Sequence, residues 1–236
     1  MQTLLPYKCR HCQHAAFARD GLCANCMAEL PYRVQSCSGC GCGCGCGCGC
    51  GCALNDALYC SVCATTHERR FVQFYSPFAY HGAIIHLLRQ WKYQGNEGAG
   101  AVLCRLFEQT LGDTIDWPVA GIIPVPANPI RLRQRGFCTA HTLASIVASR
   151  MVVPLYSDLA YCIESPKTQV NKSRQDRWTD RKRVFVCSEL PAQLRGQSLL
   201  LIDDVMTSGA TLAALKAACL SAGAASVSAI TLCVAP

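Results

Sequence analysis

Two groups of residues in this sequence have the types and the spacing that a chemical task requires. One is a set of four Cys-x-x-Cys knuckles near the N-terminus, and the other is an apolar run that ends in two aspartates. Each knuckle can place two sulfurs on one metal ion, and two knuckles complete the four-thiolate tetrahedron that zinc prefers. The spacing therefore predicts structural zinc. The candidate ligands are Cys9, Cys12, Cys23, Cys26, Cys37, Cys40, Cys60 and Cys63.

The separation of the knuckles indicates how they are grouped. Ten residues lie between Cys12 and Cys23, enough for a short ribbon, so we expect the first two knuckles to share one zinc and the last two to share another. An interleaved pairing or a single occupied site would also fit. Gly and Cys alternate from Gly39 to Gly51, so Cys42 could replace Cys40 as a ligand. We interpret this low-complexity run as a tolerated loop, with a dedicated metal store as the alternative.

The distribution of the cysteines predicts two domains of unequal size. Fourteen of the twenty cysteines precede Ala64, and zinc binding can replace the hydrophobic core that this segment cannot build. We expect a double zinc ribbon over residues 1–68 and a larger domain over residues 69–236. No run of eighteen apolar residues occurs, and the first ten residues lack a secretory pattern. The sequence therefore predicts a cytoplasmic protein with reduced cysteines and no membrane insertion.

The second group of residues has the order expected of a phosphate site. A predicted apolar strand is followed by Asp203 and Asp204, and a loop of small and hydroxyl residues then precedes a predicted helix. The carboxylates can accept hydrogen bonds from two sugar hydroxyls, and the helix N-terminus can bind a phosphate. An ordinary strand-to-helix turn is the alternative, and the full order of features favours a binding site. The candidate phosphate-binding residues are Val205, Met206, Thr207, Ser208, Gly209, Ala210 and Thr211.

The elements around this motif alternate between helix and strand. Amphipathic periodicity predicts helices over Pro77–Trp91 and Glu97–Leu111, and short apolar runs with helical segments between them follow. Such alternation predicts an α/β fold with a mostly parallel sheet, in which ligands bind beyond the carboxyl ends of the strands. The predicted strands are Ala120–Val125, Ser198–Ile202 and Ser226–Val234, and the predicted helices between them are Thr139–Arg150 and Thr211–Ala222.

Positive charge is concentrated in one part of the chain. The formal net charge is +7, and residues 127–185 hold eleven Lys and Arg against four acids. This excess indicates an anionic partner, either the phosphates of a small ligand or a nucleic-acid backbone. A solvated basic face is the alternative.

These motifs together resemble a known family. The run Leu199–Leu212 is similar to the phosphoribosyl pyrophosphate signature of type I phosphoribosyltransferases. With Leu88–Gly95, Ile123–Pro126, Arg133–Phe137 and Gln169–Phe185 behind the cysteine knuckles, the chain resembles the ComF competence-protein family and its relative GntX. The resemblance implies a type I phosphoribosyltransferase-like sheet, mostly parallel and flanked by helices, after a small N-terminal zinc ribbon.

The resemblance also implies roles for individual residues. Asp203 and Asp204 would hold the ribose hydroxyls, and residues 207–211 would hold the 5-phosphate. Magnesium would accompany the pyrophosphate. A mobile hood would span Gln169–Arg183, and Cys138 and Thr139 stand where the family usually has Asn-Gln. The implied pyrophosphate-binding residues are Arg131, Arg133, Arg135 and Arg177.

Two functions are compatible with this pattern. The first is a ribose phosphate-binding protein that acts in DNA uptake, with phosphoribosyl pyrophosphate or a nucleotide as ligand and single-stranded DNA or DNA-uptake proteins as partners. The second is an active phosphoribosyltransferase, in which basic residues stabilise the leaving pyrophosphate. The sequence has no recognisable base pocket, so it does not name an acceptor.

Overall fold

The computed structural model describes most of the larger domain and parts of the cysteine-rich head. The Gly-Cys run from residue 42 onward, the boundary between residues 68 and 69, and the hood with Arg177 lie outside the described residues. The described ranges are 7–16, 21–33, 36–41, 59–60, 63–64, 70–112, 115–164 and 183–235.

A parallel sheet forms the centre of the larger domain. Its strands are β3 (Phe74–Tyr75), β4 (Phe78–Ala79), β5 (Gly121–Pro124), β8 (Ser198–Met206) and β9 (Ser226–Val234). The order is β3-β9-β8-β5, with β4 also paired to β9, and every pair is parallel. The prediction of a mostly parallel α/β sheet is therefore confirmed.

Strand β8 is buried on both faces, as its continuous apolar run requires. Leu200 and Ile202 point into one hydrophobic cluster, and Leu199 and Leu201 point into the other. Full burial of each such side chain stabilises the fold by about 1.5–3 kcal/mol. The acids that follow Ile202 thus continue a strand whose preceding residues are buried on both faces.

Helices cover both faces of the sheet. Three helices pack on the face of Leu200 and Ile202, and the last helix packs on the opposite face. The helices are α2 (Gly82–Gln94), α3 (Glu97–Leu111), α4 (Pro129–Arg135), α5 (Thr139–Met151) and α6 (Ala210–Ser221). None of the helices in the described ranges is long and apolar enough to cross a membrane.

Two predicted boundaries were wrong, and strand pairing explains both. Helix α2 begins at Gly82 instead of Pro77, because Phe78–Ala79 pairs with the end of β9 as strand β4. Strand β8 continues to Met206 instead of ending at Ile202, because Asp203 and the following residues keep their pairing with β9. The aspartates therefore lie within the strand rather than after it.

Helix α4 and strands β6 and β7 were not predicted. Helix α4 carries Arg131, Arg133 and Arg135; the Asn128 side chain caps it by accepting from Ile130 N at 2.9 Å, and Pro129 is its first residue. Strands β6 (Ala160–Glu164) and β7 (Arg183–Cys187) form an antiparallel pair at the two ends of the hood segment.

The cysteine-rich head contains β1 (Tyr7–Lys8), β2 (Ala15–Ala16) and helix α1 (Ala24–Ala28). Backbone hydrogen bonds join it to the larger domain: Phe71 N donates to Gly39 O at 2.9 Å, and Ala79 N donates to Pro31 O at 2.8 Å. A side chain at Gly41 would collide with Phe74. The head is thus packed closely against the first strands of the sheet.

Candidate functional site

The eight knuckle cysteines form two compact clusters. Four sulfurs lie within 4.8 Å of one another in each cluster, and the grouping of first with second knuckle and third with fourth is the one that we expected. Cys40 belongs to the second cluster. The members are Cys9, Cys12, Cys23 and Cys26 in the first cluster, and Cys37, Cys40, Cys60 and Cys63 in the second.

Backbone hydrogen bonds at Cys37 and Cys9 favour the thiolate form. Cys37 Sγ accepts hydrogen bonds from Cys60 N at 3.2 Å and Gly39 N at 3.3 Å. Burial raises the pKa of Cys37, but backbone N–H groups outweigh it and lower the pKa to about 7. At Cys9, burial also raises the pKa of the thiol, but hydrogen bonds from backbone N–H groups outweigh it and lower the pKa to about 6. Four soft, closely spaced sulfurs with such donors fit a structural zinc ion.

Asp204 occupies the centre of the second candidate site. Its carboxylate is buried, and both of its oxygens have partners: Lys92 Nζ lies 2.6 Å from Oδ1, and the Thr139 hydroxyl donates to Oδ2. Lys92 comes from the last turn of α2 and Thr139 is the first residue of α5. Three separate elements therefore meet at this carboxylate.

Asp203 has a more open position. It is half-buried, and its Oδ1 accepts a hydrogen bond from the backbone N of Asp204 at 2.8 Å. Neighbouring positions of a strand point to opposite faces, so the two acids do not share one environment. Both acids nevertheless border the same cleft.

The cleft has a volume of about 100 Å³ and lies beside the carboxyl ends of β5 and β8. Its cationic side chains are Lys92, Arg131 and Arg135. Phe137 forms part of its wall and stacks on Trp91 with ring centroids 5.5 Å apart. A cleft with three cations and a rigid aromatic wall is suited to an anionic ligand.

Cys138 also borders this cleft. Burial raises the pKa of its thiol, backbone N–H groups oppose this, and the nearby Asp204 carboxylate adds to the increase. The thiol is therefore a poor nucleophile at neutral pH.

The predicted phosphate loop lies next to the acids but outside the lining of this cleft. Thr207 and Ser208 are exposed, and Gly209 precedes α6 with φ +74°. That conformation favours glycine. Arg70 Nη1 donates to Ser208 O at 2.9 Å, so a guanidinium lies at the edge of the loop.

Several predicted residues meet in this region, and others do not. Arg131 and Arg135 line the cleft with the two acids, whereas Arg133 is exposed on α4 outside it. Met206 is buried in the core under the loop. Arg177 falls outside the described residues.

The sequence reasoning missed two contributors to the site, Lys92 and Thr139. Lys92 had been noted only as part of the run Leu88–Gly95, and Thr139 only as a departure from the family pattern. A charged residue on the buried side of an amphipathic helix, next to Trp91, is the signal that could have identified Lys92. No local signal marks Thr139, because its partner is 65 residues away in sequence.

Comparisons with known proteins agree with this geometry. Residues 139–236 match the family model described as "Phosphoribosyl transferase domain". Competence protein F of Haemophilus influenzae is 24% identical over 221 residues, which covers 90% of this chain and 90% of that protein.

Solved structures with limited similarity to this chain were also found. Glutamine phosphoribosylpyrophosphate amidotransferase from B. subtilis has a TM-score of 0.39 and 15% identity, covering 60% of this chain and 30% of its own. Adenine phosphoribosyl transferase from Trypanosoma brucei has a TM-score of 0.37 and 12% identity, covering 67% of this chain and 70% of its own. This chain thus spans less than a third of the amidotransferase.

The parallel sheet, the acidic strand end and the family match define a phosphoribosyltransferase-type domain behind a cysteine-rich head. The similarity to Competence protein F extends over both parts, so the resemblance to the ComF family is confirmed.

Proposed function

We propose that this protein binds a 5-phosphoribosyl ligand, either phosphoribosyl pyrophosphate or a related ribose phosphate. The observation that carries the proposal is the cleft in which Asp203 and Asp204 face Lys92, Arg131 and Arg135. A ribose bearing phosphates presents hydroxyl donors and anionic oxygens together, and this mixture of acids and cations complements both.

Each part of the site has a matching part of the ligand. The acids at the end of β8 would accept hydrogen bonds from the ribose hydroxyls. The exposed hydroxyls of Thr207 and Ser208, with the N-terminus of α6, would bind the 5-phosphate. Arg131 and Arg135 would bind the pyrophosphate.

Magnesium is part of this proposal. It prefers oxygen ligands and is usually held by one or two carboxylates together with substrate phosphates. The Asp203 carboxylate is partly exposed beside the cleft, so it fits this donor type. When bound, the ion would neutralise charge on the pyrophosphate, whereas the arginines would orient it.

The same site could support catalysis of phosphoribosyl transfer. In that reaction the bond between ribose C1 and the pyrophosphate oxygen breaks, and a bond from C1 to an acceptor nucleophile forms. Arg131 and Arg135 would stabilise the departing anion, and the acids would steady the positively charged sugar. No acceptor is assigned, so we propose binding first and transfer as the alternative.

The cellular role that we propose is in DNA uptake or the use of external DNA. It is supported by the similarity to Competence protein F along both parts of the chain. Two clusters of thiolates need a reducing compartment, so the proposal includes a cytoplasmic location. Single-stranded DNA and DNA-uptake proteins would then be its partners.

A ligand panel tests this function. We would compare phosphoribosyl pyrophosphate, nucleotides and single-stranded DNA by thermal shift and calorimetry, with and without magnesium. A ligand at 100 times its Kd should stabilise the fold by about 2.7 kcal/mol. Stabilisation by phosphoribosyl pyrophosphate at one site per chain is expected, and its absence would overturn the proposal. DNA binding should weaken steeply with salt if it occurs.

A further inference from the structure

Lys92 belongs to the run Leu88–Gly95, in which it had no individual role, and it forms an ion pair with Asp204. Its ammonium lies 2.6 Å from Asp204 Oδ1, and its side chain is 15% exposed. A buried lysine is rare unless it is paired, because removing an ammonium from water is costly. Asp204 is that partner, and because Lys92 also borders the cleft, its other N–H groups can reach a ligand there.

Both oxygens of Asp204 already have an internal partner. One oxygen is paired with Lys92 and the other accepts from Thr139, so a sugar hydroxyl would have to share a buried oxygen with one of these partners. The strand-end carboxylate with the more open position is Asp203. The two acids are therefore unequal in what they offer to a ligand.

The hydrogen-bonding capacity of Lys92 is not used up by this pair. An ammonium has three N–H donors, and Asp204 takes one. Arg131 and Arg135 border the same cleft, so three cations converge on about 100 Å³. The two acids Asp203 and Asp204 balance two of these three cations, so the lining of the cleft keeps one net positive charge.

We propose that Lys92 is an anion-binding residue of this cleft, positioned by Asp204, and that a diphosphate group is its ligand. This inference rests on the proposed function and refines it. Asp204 is then a positioning residue: its carboxylate holds the Lys92 ammonium in place and is itself held by the hydroxyl of Thr139, the first residue of α5. This narrows the proposed function, in which both acids bind the ribose, to Asp203 as the acid that accepts from the sugar hydroxyls.

The test compares two probes on one set of variants. We would titrate inorganic pyrophosphate and ribose 5-phosphate, each with magnesium, into the wild-type chain and into Lys92→Met. We expect the loss of affinity for pyrophosphate to exceed the loss for ribose 5-phosphate by tenfold or more. Arg89→Met is the matched control, because it removes the same charge from an exposed position of α2 outside the cleft.

Two further variants separate the roles of the acids. Asp204→Asn should reproduce the Lys92→Met pattern, with pyrophosphate affected more, whereas Asp203→Asn should affect ribose 5-phosphate more. If Lys92→Met fails to fold because Asp204 is left unpaired, the double variant Lys92→Met with Asp204→Asn removes that charge and carries the same expectation.

The outcomes distinguish this inference from the function on which it rests. A wild-type chain that binds neither probe overturns both. A wild-type chain that binds both probes, with equal losses for Lys92→Met or losses no larger than for Arg89→Met, overturns the role of Lys92 alone. An Asp204→Asn variant that behaves like Asp203→Asn overturns the positioning role.

Discussion

The cysteine clusters and the cleft lined by Lys92, Arg131 and Arg135 differ in how their functional residues are arranged along the sequence. The second cluster uses two knuckles, at Cys37–Cys40 and Cys60–Cys63, and each knuckle is a local pattern. The cleft takes Lys92 from α2, two arginines from α4, and the acids from β8. A metal can gather ligands in a segment with little core, whereas the cleft exists only once the sheet has formed.

This difference has consequences for stability. Loss of one thiolate should disrupt a whole cluster, because the binding free energy of a structural zinc is folding free energy. Loss of one charge in the cleft should lower the affinity for a ligand and leave the hydrophobic clusters around β8 intact.

Replacing a buried cysteine of the second cluster should have the largest effect. We expect Cys60→Ser to lower the zinc content by one ion per chain and to unfold that part of the head, since structural zinc contributes on the order of 10 kcal/mol. Elemental analysis and circular dichroism would measure this. Cys104→Ser is the control, because Cys104 lies on α3 outside both clusters. Equal zinc contents in the two variants would contradict the assignment.

The phosphate loop should show an intermediate effect. Gly209→Ala forces a Cβ into a residue with φ +74° and against the Arg70 guanidinium, so stability should fall by about 1 kcal/mol and ribose phosphate affinity should fall with it. Gly223→Ala, with φ +105° after the same helix and only an ordinary contact with Arg195 Cγ at 3.9 Å, should cost stability alone. Thermal unfolding and calorimetry would separate the two. Equal ligand affinity in both variants would mean that the loop is only a turn.

The smallest effects are expected on α4. Arg131 borders the cleft and Arg133 does not, although both are exposed. Arg131→Ala should lower the affinity for pyrophosphate by roughly threefold to tenfold at low salt, and less at high salt, as for exposed charges. Arg133→Ala should change it by less than about twofold. If the two variants lose affinity equally, the arginines act through net charge and not through contact with the ligand.

The sequence predicted the contiguous features well. The grouping of the four knuckles and the parallel sheet both follow from local spacing or periodicity. Boundaries that depend on pairing were predicted less well. Strand β8 runs past Ile202 because β9 continues to pair with it, and no local pattern contains that information.

The charge arrangement in the cleft was the least predictable part. Asp204 was expected to be an acid facing a sugar, and the contacts with Lys92 and Thr139 come from segments far away in sequence. Cys138 and Thr139 had been noted as departures from the family pattern. Only the packing of α5 on β8 revealed that Thr139 supports the acid.

The most direct test of the central claim is a calorimetric titration of phosphoribosyl pyrophosphate, with magnesium, into the wild-type chain and Asp203→Asn. The account predicts one binding site per chain for the wild type. Loss of hydrogen bonds to a charged acceptor should weaken binding in Asp203→Asn by about 2 kcal/mol, roughly 30-fold, without a change in the fold. No binding by the wild type, or the same affinity in both proteins, would contradict the assignment of this strand end as a ribose phosphate site.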